Sequence, residues 1–435
     1  MKKLLCAAMI GILLCANLSA VHVFAVETQI QVIADESWTN ATYDPETGYL
    51  INHVIDNTDP ENPVDRSYAF NWSVSNPSVL QPCYGLYTLT NTVNDFPETA
   101  TEVVFPSKII YEGEAYEIKT IDSKVFGHFN KKATTIQRLV FSEGITEIPA
   151  QLCYKATSLK SVVIYGETIT KIGQDAFNNA TAINEFNFPK SLETIVTGAF
   201  GSSNLPSVVE IPWRVKTIEN NTFKGKIGID HIYFKGNLES VGNSVFCQGW
   251  SNGVRNIYFE GANAPLLGTN ILHNNFKTNL TVHYPANRSS YADFEARFNV
   301  ASGIYPVDEN GIADTSQKTD STDTATLSYA KIQESSSVIN DVSYNEETGE
   351  YRVDYNVVIG EADWNAYKDT AVAYIAVYDG DGLAAVKSIS LTDSLSHTIF
   401  AGLEKTPEKV KLFVWADASN SLKPILGAAE FDIVE

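Results

Sequence analysis

Apolar residues recur through the middle of the chain with a period of about 23 residues, which is neither the repeat of a helix nor the alternation of one long strand. Ile121, Ile148, Ile172, Ile195, Ile218 and Val241 are each followed five positions later by Phe126, Cys153, Phe177, Phe200, Phe223 and Phe246. A second series pairs apolar residues one position apart, at Leu139/Phe141, Val162/Ile164, Phe186/Phe188, Val209/Ile211, Ile232/Phe234, Ile257/Phe259 and Val282/Tyr284. That alternation predicts a short β-strand in each unit. Between the two series stand Ile145, Ile169, Leu192, Val215 and Leu238. Each unit therefore offers about five inward side chains, too few to repay the ordering of its own backbone. The units must stack so that each covers its neighbours, and the two ends must be capped. The expected fold is mainly β, a solenoid with no helix-length apolar stripe.

The repeated unit resembles the bacterial BspA-type leucine-rich repeat, approximately L-x-x-I-x-I-P-x-x-V-x-x-I-G-x-x-A-F. The clearest copies are Ile183-Asn-Glu-Phe-Asn-Phe-Pro189 followed by Leu192 through Phe200, and Ile169-Thr-Lys-Ile-Gly-Gln-Asp-Ala-Phe177. Val103-Val-Phe-Pro-Ser107 through Tyr116 is similar to the strand-rich lead-in of such solenoids, and Leu280-Thr-Val-His-Tyr-Pro-Ala286 with Tyr291 to their exit. The resemblance covers about residues 100–306. It implies a secreted or cell-surface protein that adheres to host matrix proteins, other cells or glycans.

The flanks read differently. Residues 26–100 hold alternating patches, such as Tyr49-Leu-Ile-Asn52 and Tyr87-Thr-Leu-Thr90, among many Asn, Asp and Pro, which predicts a β-rich cap. The turns Tyr43-Asp-Pro-Glu-Thr-Gly-Tyr49 and Tyr344-Asn-Glu-Glu-Thr-Gly-Glu-Tyr351 each place Gly where a hairpin needs positive φ. Residues 314–326 are almost purely Asp, Ser, Thr, Gln and Lys, the composition of a flexible spacer. Beyond them, strand patterns at 351–359, 371–378, 384–391, 398–403, 410–415 and 428–434 predict an immunoglobulin-like β-sandwich. The expected organisation is a signal peptide over 1–25, the cap over 26–100, a solenoid with exit cap over 101–306, a linker over 307–327 and the sandwich over 328–435.

Export follows from the N-terminus, where Lys2 and Lys3 precede an apolar run and Val23-Phe24-Ala25 fits a signal-peptidase site. Cys15 follows Leu14, not the small residue that a lipoprotein signal requires, and residues 428–435 carry no sorting motif with a hydrophobic tail. No later apolar run could span a bilayer, so release or non-covalent retention at the surface is expected. The formal charge of −21, with 52 acidic against 31 basic residues, makes nucleic acid and anionic lipid poor partners. Of the cysteines outside the leader, Cys83, Cys153 and Cys247, the second fills a Phe slot and the third follows Phe246. Both read as core residues, not as a disulfide.

Chemistry is sparse. His53, His128, His231, His273, His283 and His397 show no metal-ligand spacing, and no nucleophile elbow, P-loop or dinucleotide motif occurs. Asp379-Gly-Asp-Gly382 could offer carboxylates to calcium but fits a two-residue hairpin turn better. No catalytic residue, metal or cofactor is expected. Binding is then the natural role. The residue between each apolar pair should face outward, giving Val140, Val163, Asn187, Glu210, Tyr233, Tyr258 and His283, beside the row Arg138, Ser161, Glu185, Val208, His231, Asn256 and Thr281. The later coils thus gather His231, Tyr233, Tyr258 and His283, flanked by Glu185 and Glu210, as a ligand-binding face for an extracellular protein or glycan. Cross-strand packing alone also favours Tyr at such positions. The alternatives are an extracellular carbohydrate- or peptide-processing enzyme targeted by its repeats, and a self-associating envelope component.

Overall fold

The alternating apolar pairs lie on short parallel strands. Glu102–Phe105, Arg138–Phe141, Ser161–Ile164 and Glu185–Phe186 form one sheet, and Val208–Ile211, His231–Phe234, Asn256–Phe259, Leu280–Tyr284 and Leu327–Lys331 form a second. The computed structural model describes residues 30–34, 38, 41–46, 48–81, 99–126, 134–225, 228–247, 254–272, 279–285, 288–319, 326–332, 335–367, 370–380, 382–391, 397–403, 407–418 and 421–433. The leader, Cys83, Tyr87–Thr90, His128 and His273 lie outside them. Register is kept from coil to coil: Leu139 faces Val103 and Val162, and Ile232 faces Val209 and Ile257. Pairing lapses between Glu185–Phe186 and Val208–Ile211, where Pro206 has no N–H to give and the Asn204 side chain instead donates to the Ile183 carbonyl at 3.0 Å.

The recurring Ile positions form a separate parallel sheet of two-residue strands, Glu147–Ile148, Lys171–Ile172, Thr194–Ile195, Thr217–Ile218, Ser240–Val241 and Leu266–Leu267. Where Gly173 follows Ile172, an added Cβ would meet the Ala150 backbone nitrogen at 2.5 Å, which explains the Gly of the repeat as a close approach of successive coils.

A third inter-coil ladder runs beneath the Phe positions. Cys153 N–H donates to Ala176 O at 2.7 Å, Phe177 to Ala199 O at 2.8 Å, Phe200 to Thr222 O at 3.0 Å and Phe223 to Val245 O at 3.0 Å. Two residues on either side, left-handed backbone recurs, at Asp175 (φ 51°) and Asn179 (62°) in one coil and at Gly198 (69°) and Ser202 (54°) in the next. Asp175, Phe177 and Asn179 all donate to the following coil, so that a segment of turns still hydrogen-bonds forward like a strand. The small polar residues and Gly there are the types that tolerate positive φ. Above this ladder the rings stack at one per coil: Phe177–Phe200 at 5.4 Å, Phe200–Phe223 at 5.8 Å and Phe223–Phe246 at 5.8 Å, with planes within 11°. All four are at most 1% exposed. Cys153 holds the same slot; it and Cys247 are both buried, and neither is in a disulfide.

Both ends are closed by chemistry that suits a ladder. At the start, the N–H of the edge residue Val104 donates to the Tyr68 hydroxyl at 2.9 Å, and its carbonyl accepts from Trp38 Nε1 at 3.1 Å. These aromatics belong to an N-terminal unit in which Ala41–Asp44, Tyr49–Asn52 and Tyr68–Asn71 form one sheet, and Ile30–Ile33, Lys108–Tyr111 and Glu114–Glu117 another. The hairpin 108–117 thus joins this unit rather than the solenoid. At the other end, a helix missed in the sequence, Phe294–Ser302, ends at Gly303 (φ 72°). Its terminal carbonyls of Ala301 and Ser302 accept from Ile271 N–H at 2.9 Å and Leu272 N–H at 2.8 Å. The free carbonyls of a helix end satisfy the free amides of a ladder end. The stretch expected to be a flexible spacer is hydrogen-bonded to the exit as far as Thr319, whose N–H reaches Ile304 O at 2.7 Å, with Asp308 and Asp314 closing local turns. Leu327–Lys331 then adds to the solenoid sheet beside Leu280–Tyr284.

The C-terminal unit is a two-sheet sandwich with its own core of Val353, Tyr355, Val357, Ala373, Ile375, Phe400, Val410, Leu412 and Val414. Ser336–Asn345, Glu350–Val358 and His397–Ala401 form one sheet; Gly382–Ser390, Ala371–Asp379, Lys409–Ala418 and Ser421–Asp432 form the other. Ser336–Asn345 and the helix Glu361–Tyr367 were not anticipated. Both Gly turns form as expected, with Gly48 at φ 74° and Gly349 at 67°, and Asp379 pairs with Gly382 across a hairpin. Arg288, 6% exposed, reaches from the solenoid exit to the Val357 carbonyl at 3.0 Å, and Asn356 donates to the Glu260 carbonyl at 2.8 Å. Arg214 and Asp341 form an ion pair between the same two parts.

The Phe stack predicts the effect of a truncation. Phe200→Ala leaves a void between two rings and should destabilise the chain by about 3–5 kcal/mol, measured by chemical denaturation. A loss below about 1 kcal/mol contradicts the role given to the stack.

Candidate functional site

In-register pairing fixes what the outer face of the second sheet displays. Glu210 faces Tyr233, Tyr233 faces Tyr258, Tyr258 faces His283 and His283 faces Ala330, all on one row. Strands lie about 4.8 Å apart, so planar side chains at equivalent positions are driven to stack. Tyr233 and Tyr258 have centroids 4.2 Å apart with planes 9° apart, and Tyr258 and His283 are 4.1 Å and 10° apart. His231, on the neighbouring row, lies 6.1 Å from Tyr258 at 21°. All four rings are half-buried.

Four of the six expected face residues therefore come together as one cluster, and Glu210 joins its flank. Lys235 bridges there, 3.4 Å from Glu210 Oε1 and 3.3 Å from Glu260 Oε2, with its ammonium 4.7 Å from the Tyr233 centroid. Glu185 does not join them. It sits on the first sheet, exposed, and accepts a 2.6 Å hydrogen bond from Ser161. Val140, expected to face outward, is fully buried, as is its register partner Val104 (6% exposed); both share the core that holds Trp38 and Tyr68. The outer face is thus covered at Val104 and Val140 in the first coils, whereas Glu185, Asn187 and Glu210 are exposed and the rings of the later coils half-buried.

Residues that the sequence reading missed complete the cluster. Lys235 and Glu260 lie two positions after Tyr233 and Tyr258, so strand alternation carried two residues further would have placed them on this face. Asn256 accepts from His283 Nε2 at 2.9 Å. His231 Nδ1 is buried and finds no partner among the described residues. Burial, then the neighbouring Tyr233, pushes the Tyr258 hydroxyl up to about 12. Burial outweighs Lys235 and raises Glu260 above the ordinary carboxylate value. Burial, then His231, lowers His283.

The stack dictates what the face can touch. The rings cover one another's faces, Lys235 covers the outer side of Tyr233, His283 Nε2 is held by Asn256 and His231 Nδ1 is buried, so the row offers ring edges and hydroxyl tips. Aromatic edges carry the positive part of the ring quadrupole. The row therefore suits hydrogen-bond acceptors and close apolar edges more than a flat group seeking a ring face. A second concavity of about 420 Å³ lies where the sandwich meets the solenoid, lined among others by Trp213, Arg214, Lys235, Arg352, Asp354 and Asn356. Its arginines are paired within the chain, Arg214 to Asp341 and Arg352 to Asp354 at 2.9 Å. No group of three or more His, Cys, Asp or Glu side chains among the described residues is placed to hold a metal ion.

Stacked coils of this length, with parallel strands on one side and a Phe ladder beneath, define a leucine-rich repeat solenoid. The repeats are of the BspA type: residues 146–278 match the BspA type leucine rich repeat region in six copies. Solved structures similar to the chain include a leucine rich cell surface protein from Faecalibacterium prausnitzii, 16% identical over 51% of this chain and 70% of that one with a TM-score of 0.30. A leucine-rich repeat protein from Bacteroides ovatus is 18% identical over 46% and 69%, with a TM-score of 0.24. The pneumococcal vaccine antigen PcpA is 13% identical over 50% and 80%, with a TM-score of 0.24. No characterised protein matches the chain in sequence.

The lowered His283 value sets a pH dependence. Its folded pKa lies below the unfolded value of about 6.5, so the unfolded chain binds the extra proton more readily and stability falls as pH drops below that value. Thermal unfolding between pH 7.5 and 5 should show this loss, and His283→Asn should flatten it. An identical slope in the variant would assign the acid sensitivity elsewhere.

Proposed function

We propose that this protein works outside the cell, secreted or held non-covalently at a bacterial surface, as a binding module and not as an enzyme. Its repeats present the outer face of the later coils to an extracellular protein or glycan, in adhesion to host matrix or to other cells. The observation that carries this reading is the row Tyr233–Tyr258–His283 with His231 beside it, four half-buried rings on a rigid sheet. Rigid aromatic anchors bind at small entropic cost because little freedom is left to lose. Support for the setting comes from the BspA-type repeats and from a structural neighbour described as a leucine rich cell surface protein. Among the described residues no helix is long and apolar enough to cross a membrane. Of the two ligand classes, a protein suits the edge-on rings better than a sugar that needs an open ring face. Glu210, Lys235 and Glu260 would add charge-dependent specificity at the rim.

Arrays of matrix proteins and glycans, probed with the chain and with a Tyr233→Ala/Tyr258→Ala variant of equal thermal stability, test the proposal. Binding by the parent and at least about a tenfold loss in the variant is expected, as for truncated anchor residues. Equal binding by both would move the site off this face, and binding by neither would remove the adhesion reading.

A further inference from the structure

The two most exposed large apolar side chains among the described residues, Leu266 at 74% and Ile312 at 64%, line one groove. It lies at the exit end of the solenoid, away from the aromatic row, with Leu267, Val300, Ala301 and Ala313 on its walls and a volume of about 550 Å³. Val300 is itself 38% exposed. The lining carries one ionisable group, Arg297, and no carboxylate, although the chain has 52 acidic residues.

The groove also breaks a rule that the preceding coils keep. In the sheet of two-residue strands, the position before each buried aliphatic residue is Glu147, Lys171, Thr194, Thr217 and Ser240, polar in each of these coils. In the last strand it is Leu266. That strand is the terminal member of its sheet. Leu266 N–H donates to Glu239 O at 2.9 Å and Gly268 N–H to Val241 O at 2.7 Å, both back toward the preceding coil. On the outward side no described residue bonds the amide or carbonyl of Leu267. An unpaired edge asks for an extended backbone, and an apolar groove beside it asks for apolar side chains at alternate positions.

We infer that this end of the solenoid is a second binding site, taking an extended, uncharged segment of a partner protein that adds in parallel to Leu266–Leu267 and sets alternate apolar side chains between Leu266 and Ile312. Parallel addition continues the ladder by which each coil already holds the next. The lining's one charge, Arg297, is paired with Asp293, so an uncharged segment fits it, and the chain's charge of −21 opposes a second copy as occupant.

A phage library of random twelve-residue peptides, selected on the full chain, tests this. Enriched peptides should alternate apolar residues, and their synthetic forms should bind the parent at least about tenfold more tightly than Leu266→Thr or Ile312→Ser, the cost of one lost buried aliphatic contact. Both substitutions are at exposed positions and should leave the thermal midpoint unchanged. Bound peptide should slow hydrogen exchange at the Leu267 amide, and Tyr233→Ala/Tyr258→Ala should bind the peptides like the parent. The inference is overturned if no such peptides emerge, if both groove variants bind them equally well, or if the Leu267 amide is unaffected. A dimer seen by sedimentation that Leu266→Thr abolishes would also overturn it, by making a second copy the occupant.

Discussion

Each coil of this solenoid takes its hydrogen-bond partners from the coils beside it, and everything else in the structure depends on that dependence. Three ladders run along the axis: the strand sheets, the two-residue strands at the Ile positions, and the turns below the Phe positions. The third is the least obvious, because it runs through turns in which residues such as Asp175 and Asn179 take left-handed backbone. A left-handed residue other than Gly costs about 1 kcal/mol or more. Here the conformation is repeated in coil after coil, because without it a buried N–H in each would lack its acceptor.

That dependence makes the ends as informative as the middle. Tyr68 and Trp38 close the first strand through Val104, and the carbonyl end of Phe294–Ser302 closes the third ladder through Ile271 and Leu272. The two-residue strands finish instead at Leu266–Leu267, where the polar residue of the earlier coils gives way to an exposed Leu. The same strict register creates the outer face. Residues at one position of successive strands are forced to within stacking distance, so a row of Tyr, Tyr and His becomes one continuous aromatic rib instead of three separate side chains.

Much of this was legible in the sequence, and the reasons are physical. A repeat of one apolar pattern leaves few ways to stack, so Ile172, Phe177, Val209 and Ile211 could be placed in the core from spacing alone, and all are buried. The gathering of Tyr233, Tyr258 and His283 followed from the same register. Alternation could not say which stretch of outer face stays open. Val140 obeys it yet is covered, because that depends on how residues 30–81 pack, a contact between distant segments. Lys235 and Glu260 were missed because the strand was read as ending at its last apolar residue. The helix Phe294–Ser302 was missed because its apolar set, Phe294, Phe298 and Ala301, is too short to mark a helix by periodicity. The spacer reading of 314–326 rested on composition, and composition is blind to local bonds such as those that Asp314 accepts.

Native-state hydrogen exchange of the amides of Phe177, Phe200 and Phe223 tests the central claim most directly. If coil-to-coil bonding holds the solenoid together, these turn-segment amides exchange as slowly as those of Ile232 and Ile257 in the strands and are released together with them in denaturant. Fast exchange at the three Phe amides, with the strand amides still protected, would show that the third ladder does not bind the coils and would contradict the account.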